Sequence, residues 1–152
     1  MIKAVLHADG GARGNPGPAG IGVVLKDSSG EVLGEIAQGI GHATNNVAEY
    51  KALIEGLELA LASGVTDLDI FLDSELVVSH LKCDWKIKKD NLRALAVQAR
   101  RLMNRFEKTT ISHIPREENS DADKLANQGM DEAAFDSELD AEAPPEQQSF
   151  YE

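Results

Sequence analysis

The hydrophobic and polar positions of this 152-residue chain change period several times, and each change marks an element. Ile2, Ala4, Leu6 and Ala8 fall on one side of an alternating run, which predicts a strand over Ile2–Ala8 that closes at Asp9-Gly10-Gly11. The next stretch, GARGNPGPAG, is too rich in Gly and Pro to read as a regular element. Ile21 to Leu25 reads as a second strand, Asp27-Ser28-Ser29-Gly30 as a turn, and Val32 to about Ile40 as a third strand. Three strands joined by short connections predict an antiparallel meander. The period then lengthens. Val47, Tyr50, Ile54, Leu57 and Leu61 are spaced 3, 4, 3 and 4 apart, one face of an amphipathic helix that Ser63-Gly64 closes. Leu68, Ile70 and Leu72 form a short alternating strand ending at Asp73. Ser74 to Leu81 reads as a short helix, Asn91 to about Phe106 as a longer one, and Thr109 to Ile114 as a strand stopped by Pro115. Ser120 to Gly129 is the last predicted helix. The order βββ-α-β-α-α-β-α predicts an α/β fold. Its mixed sheet of five strands has three antiparallel strands followed by parallel ones joined through helices and covered on both faces.

Composition narrows the classes available. The length suits one compact domain, whose core needs no partner, so a monomer is expected. A single cysteine, Cys83, excludes an internal disulfide framework and a Cys-rich zinc site. No stretch approaches the ~18 apolar residues of a membrane span, and the first residues lack the basic and apolar run of a signal peptide. A reducing, cytoplasmic setting without membrane contact is expected. The net charge of −11, taken whole, argues against a nucleic-acid partner. Its distribution reverses that inference. Residues 131–152 hold eight acids, no Lys or Arg, and Pro144-Pro145, which predicts a disordered acidic tail beyond a folded domain at 1–130. Residues 1–130 are then near −3. Within them, residues 82–108 hold nine basic groups against three acids and contain Trp85, the pairing of basic charge and aromatic that a nucleic-acid contact uses.

Four acids fall at element ends. Asp9 ends the first strand, Glu49 lies in the first turn of the first long helix, Asp73 ends the fourth strand, and Asp123 lies in the first turn of the last helix. Each also fits a local structural role. Asp9 suits a turn with Gly10-Gly11, Glu49 a capping box with Asn46, Asp73 a cap for the helix after it, and Asp123 a capping arrangement with Ser120. Strand ends and helix starts are, however, where open α/β sheets build sites. Four converging carboxylates raise one another's pKa unless cations join them. Hard divalent ions, Mg²⁺ or Mn²⁺, suit all-oxygen ligands. Two such ions roughly 3.5–4 Å apart clamp a phosphodiester for in-line attack.

These residues carry a resemblance. Asp9-Gly10-Gly11 with Arg13-Gly14-Asn15-Pro16-Gly17, Thr44-Asn45-Asn46-Val47-Ala48-Glu49-Tyr50, Asp73-Ser74, and Asn119 with Ala122-Asp123-Lys124-Leu125-Ala126 occur in the order seen in type 1 ribonuclease H. The chain resembles the single-domain bacterial and archaeal form of that family from residue 1 to about residue 130. The resemblance implies the ribonuclease H fold and endonucleolytic cleavage of the RNA strand of RNA–DNA hybrids, leaving 5′-phosphate and 3′-hydroxyl ends. It implies metal binding by Asp9, Glu49, Asp73 and Asp123, with Mg²⁺ as the cofactor and Mn²⁺ as a substitute. It assigns polar contacts with the hybrid to Gly11, Asn15, Thr44, Asn45, Asn46 and Ser74, small groups that can approach a minor groove and read a 2′-OH. Trp85, Lys86 and Lys88 correspond to the contact with the DNA strand. A non-catalytic hybrid-binding module and another two-metal nuclease of the same fold group are the rival readings.

Departures from the family pattern are specific. Many bacterial members carry a mobile histidine before the last aspartate that assists product release. Here His113 precedes Asp123 by ten residues but falls near a predicted strand end, and Arg116 is the preferred loop substitute. The basic protrusion between the middle helices is reduced to Lys86-Ile87-Lys88-Lys89-Asp90, which predicts a weaker grip on substrate. The catalytic strand starts at Ile2, so no separate N-terminal hybrid-binding domain is expected. Gln147-Gln148-Ser149-Phe150-Tyr151 is similar to the Gln-x-Ser/Asp-Leu-Phe peptides that dock on bacterial sliding clamps, which implies a clamp contact through the tail.

Overall fold

The computed structural model describes residues 1–82 and 87–142. Strands β1 (Lys3–Ala12), β2 (Gly17–Asp27) and β3 (Val32–Ala43) are followed by helix α1 (Asn45–Ala62) and strand β4 (Asp67–Leu72). Helices α2 (Glu75–Lys82) and α3 (Asp90–Met103), strand β5 (Lys108–His113), a 3-10 turn at Arg116–Glu118 and helix α4 (Ser120–Glu142) complete the order. The strands form one sheet, β3-β2-β1-β4-β5. β1 pairs antiparallel with β2, and β2 with β3, while β4 runs parallel to both β1 and β5. The predicted element order and mixed sheet are therefore present.

Strand register decides which side chains meet. Leu6 lies between Leu25 and Ile70, and Ala8 between Val23 and Leu72, so these apolar positions share one face. Tyr50, Leu53 and Leu57 of α1 and Leu92, Ala96 and Ala99 of α3 join that same fully enclosed core. Burying such side chains contributes about 1.5–3 kcal/mol for each large one, the main term holding α1 to the sheet. The alternate positions face the other way. There α4 crosses β2, β3 and β1 through a stripe of Ala122, Ala126, Met130 and Ala133, all buried.

Three features differ from the sequence reading. β1 continues through Gly10 and Gly11 to Ala12, and β2 begins at Gly17, because Gly11 pairs with Gly20 and Ala12 with Ala19 across the ladder. The glycine-rich segment is thus mostly strand, and the irregular part is the short loop between. The second difference is α4. It runs to Glu142, so residues 131–142 are helix and not the start of a disordered tail at 131. Its core stripe is made of small residues, which gives a weak periodic signal, yet Ala133 is buried beyond the predicted boundary. Third, the later strands are not covered on both faces. β4 alternates between buried Leu68, Ile70 and Leu72 and half-buried Asp67, Asp69 and Phe71. On this partly open face, Thr110 Oγ1 donates to Asp69 at 2.7 Å and His7 stacks on Phe71 at 5.3 Å between ring centres.

Candidate active site

Register places Asp9 opposite Gly22, and that glycine is needed for the site to form. A Cβ at Gly22 would lie 2.1 Å from the Ala122 carbonyl oxygen and 2.4 Å from the Ala126 nitrogen. The first turns of α4 can therefore rest on β2 beside Asp9, which brings Asp123 to it. On the opposite face Gly10 does the same for α1, since a Cβ there would stand 2.2 Å from the Ala48 carbonyl oxygen. Glu49 is the next residue. Asp73 follows β4, whose Leu72 pairs with Ala8, so Asp9 and Asp73 leave adjacent parallel strands side by side. Asn119 locks the remaining element. Its buried Nδ2 donates to the Ala8 carbonyl at 3.0 Å, and its backbone carbonyl accepts from the Asp123 amide at 3.0 Å.

None of the acids is used as a helix cap. Thr44 caps α1, its Oγ1 accepting from the Val47 amide at 3.3 Å, so Glu49 lies beyond any capping box. Ser74 caps α2, its Oγ accepting from the Val77 amide at 3.3 Å. Asp9 continues a strand instead of making a turn. The four carboxylates line one cavity of about 520 Å³ together with Arg13 and Arg116.

The electrostatics order these acids. Burial, the charge of Asp73 and hydrogen bonds with Asp123 and Asp73 push the Asp9 carboxyl up to about 8. Burial also raises Glu49; a hydrogen bond from Ser74 opposes that rise and the charge of Asp73 adds to it. The pairwise interactions run in the order Asp123–Asp9–Asp73–Glu49, with Asp9 interacting with a carboxyl on either side. Among the described residues no group of three His, Cys, Asp or Glu side chains stands close enough together to hold a metal ion on its own. An open row is still the arrangement Mg²⁺ favours, because that ion keeps waters and takes one or two carboxylates plus substrate oxygens. Four carboxyl groups lining one cavity, a donor set made of oxygen alone, is the structural observation that fits the row to hard divalent cations.

The residues assigned to substrate divide by what their atoms already do. Asn45 lines the cavity, and its Oδ1 accepts from the Ala12 amide at 2.8 Å. Asn15 Oδ1 accepts from the Asn45 amide at 3.0 Å. Both side-chain carbonyls thus pin the loop between β1 and β2 to the start of α1. Gly11 lines the cavity with only hydrogen at its Cα, and a Cβ there would meet Met130 Cε at 3.3 Å. Thr44 and Ser74 spend their hydroxyl oxygens on caps. Asn46 and Lys88 line a separate groove of about 290 Å³ with Leu76, His80, Ile87, Lys89 and Leu92. His80 forms the floor there. Its Nδ1 is 2.7 Å from the buried Tyr50 hydroxyl, and burial, with Arg100 nearby, lowers its pKa. Trp85, Lys86 and the Gln147–Tyr151 segment lie outside the described residues.

The two product-release candidates separate clearly. Arg116 lines the cavity, with Nη2 at 3.4 Å from Asp123 Oδ1. His113 ends β5, is exposed, and is not among the cavity-lining residues. Five lining residues were not assigned a site role from sequence: Gly10, Ala12, Arg13, Asn127 and Met130, of which Arg13, Asn127 and Met130 carry long side chains. The signal for two of them was available, since Asn127 and Met130 follow Asp123 at four and seven residues, one helical face.

Comparison with known proteins shows the family and the fold. A family model described as reverse transcriptase-like matches residues 7–129, and the chain belongs to that family. It is 46% identical over 142 residues to the bifunctional protein Rv2228c of Mycobacterium tuberculosis, covering 93% of this chain and 39% of that protein. The solved N-terminal RNase H domain of Rv2228c superposes with a TM-score of 0.87, covering 90% of this chain and 99% of the domain. Ribonuclease HI of Halobacterium salinarum is 45% identical over 130 residues, 84% of this chain and 65% of that protein. The structure of LC11-RNase H1 in complex with RNA/DNA hybrid is 40% identical, with a TM-score of 0.81 over 86% of this chain and 99% of that one. The chain has the ribonuclease H fold. It spans well under half the length of the mycobacterial relative and about two thirds of the archaeal one.

Proposed function

We propose that this chain is a metal-dependent ribonuclease H that cleaves the RNA strand of RNA–DNA hybrids, leaving 5′-phosphate and 3′-hydroxyl ends. The observation that carries the reading is the carboxylate row centred on Asp9, drawn from four elements into one cavity. Relatives named ribonuclease H, and the hybrid-bound LC11 enzyme of the same fold, support the substrate class.

Asp9, Glu49, Asp73 and Asp123 would hold Mg²⁺, with Mn²⁺ as a substitute, and such ions supply an activated water and charge neutralisation on the scissile phosphate. Asp9, which interacts with both Asp73 and Asp123, would contribute most to holding such ions. Gly11 and the Asn45 amide stand at the cavity wall, where a hybrid's minor groove can approach and its 2′-OH can be read. Water adds to phosphorus and gives up a proton to solvent, the bond from phosphorus to the 3′ oxygen breaks, and that oxygen takes up a proton to leave as a hydroxyl. Arg116, exposed and beside Asp123, is placed to compete for that carboxylate and loosen the product.

A cleavage panel tests this reading. Hybrid, double-stranded DNA, double-stranded RNA and single strands are each incubated with Mg²⁺, Mn²⁺ or EDTA. Cleavage confined to the RNA of the hybrid, and abolished by EDTA, is the expected result. Cutting of duplex DNA would replace the reading with another two-metal nuclease, and hybrid binding without cutting would leave a binding module.

A further inference from the structure

Helix α4 does more at the cavity than deliver Asp123. Asp123, Asn127 and Met130 follow one another along one face of the helix and line the cavity. Asp131, the next residue, forms an ion pair with the Arg13 guanidinium across the loop between β1 and β2. Arg13 itself lines the cavity. Its backbone is fixed, the amide donating to the Pro18 carbonyl at 2.9 Å, so the side chain has a defined origin. Under the same loop, Gly11 sits against Met130. A cation at the rim of a site that accepts a polyanion is therefore occupied by a carboxylate from the helix that also supplies a metal ligand.

We propose that Arg13 contacts a backbone phosphate of the bound hybrid, and that Asp131 is the carboxylate the phosphate displaces. This rests on the reading of the site as one for RNA–DNA hybrids. The exchange is chemically easy. Both partners are substantially exposed, with side-chain accessibilities of 45% for Arg13 and 64% for Asp131, and exposed ion pairs are weak. A phosphodiester offers the guanidinium two oxygens in the same forked geometry as a carboxylate, and carries its charge into a cavity edge already lined by Arg116. Binding of the phosphate must break the Arg13–Asp131 pair, and Asp131 recaptures the guanidinium as product leaves. The pair thus lowers affinity while hastening departure of product. Asp131 belongs to the segment whose charge read as a detached tail, and the structure makes it part of the substrate rim.

The test compares Arg13→Gln, Asp131→Asn and the double variant with the unaltered chain. Steady-state cleavage of hybrid and hybrid binding in Ca²⁺ are measured over a range of salt. Arg13→Gln is expected to weaken binding several-fold and to reduce the slope of log K against log salt by about one phosphate contact. Asp131→Asn is expected to lower Kd and KM several-fold, and to lose that effect when Arg13 is already Gln. Thermal unfolding of each variant separates a binding effect from damage to the fold. An unchanged salt slope in Arg13→Gln overturns the proposal, as does an equal effect of Asp131→Asn with and without Arg13. Failure of the unaltered chain to cut hybrid would overturn the functional reading instead.

Discussion

Asp9 carries the largest electrostatic tension in the molecule's described part that the site creates. Its carboxyl is pushed up to about 8 by burial and by Asp73 and Asp123, against an ordinary value of 3.8 in an unfolded chain. The folded protein therefore holds the Asp9 proton more tightly than the unfolded one does. The stability this contributes is fully present below the unfolded value and is lost as pH rises through the folded one. Removing the charge should reverse the loss. Without divalent cations, Asp9→Asn is expected to melt higher than the unaltered chain at about pH 9, by roughly 2–4 °C for each kcal/mol recovered, and to lose most of that advantage near about pH 5. Calorimetry at the two pH values checks this, and equal melting temperatures would show that the acids do not repel. The same substitution should abolish cleavage. At this scale the sequence was informative for the acids and less so for their neighbours. Asp9, Glu49, Asp73 and Asp123 were recognisable because each stands inside a polar motif that capping does not explain. Arg13 stood within the quoted loop motif, but its partner Asp131 is more than a hundred residues away, a distance no local pattern crosses.

At the scale of elements, small residues decide where the acids stand. Gly22 admits the first turns of α4, and Gly10 admits α1. Gly22→Ala would set a methyl group 2.1 Å from the Ala122 carbonyl, so α4 must move away from Asp9. Overpacking of this kind costs about 1–3 kcal/mol. We expect Gly22→Ala to lower the melting temperature and to cut hybrid cleavage by at least tenfold, since Asp123 travels with the helix. Denaturant unfolding and initial rates measure both effects. Retained activity at full stability would show that α4 is free to adjust. The element types were legible from period alone, and the two shifts at element ends have physical causes. β1 and β2 reach into the glycine-rich segment because cross-strand hydrogen bonds, such as those pairing Gly11 with Gly20, outweigh poor strand propensity. α4 outruns its predicted end because its stripe is alanine and methionine, small surfaces that hydrophobic patterning weights lightly. Gly22 itself gave no sign in the sequence, since a glycine inside a strand reads as a weakness until a helix is seen resting on it.

For the whole molecule, the meaning of the charge changes with the structure. The net −11 combines an acid-rich C-terminal end, a half-buried row of four carboxylates and a basic segment over residues 82–108. Two divalent ions would offset the row, leaving the body near neutral. The helix through Glu142 then moves part of the acid-rich end from a separate tail to the border of the site, where Asp131 meets Arg13. The account stands or falls on one claim, that acids from four elements act together on the RNA of a hybrid. The direct measurement is cleavage of an end-labelled RNA–DNA hybrid in Mg²⁺ by the unaltered chain and by Asp73→Asn. The account predicts RNA cut at internal positions by the former, and a rate at least about 10³-fold lower for the latter with hybrid binding retained. Undiminished cutting by Asp73→Asn would contradict it.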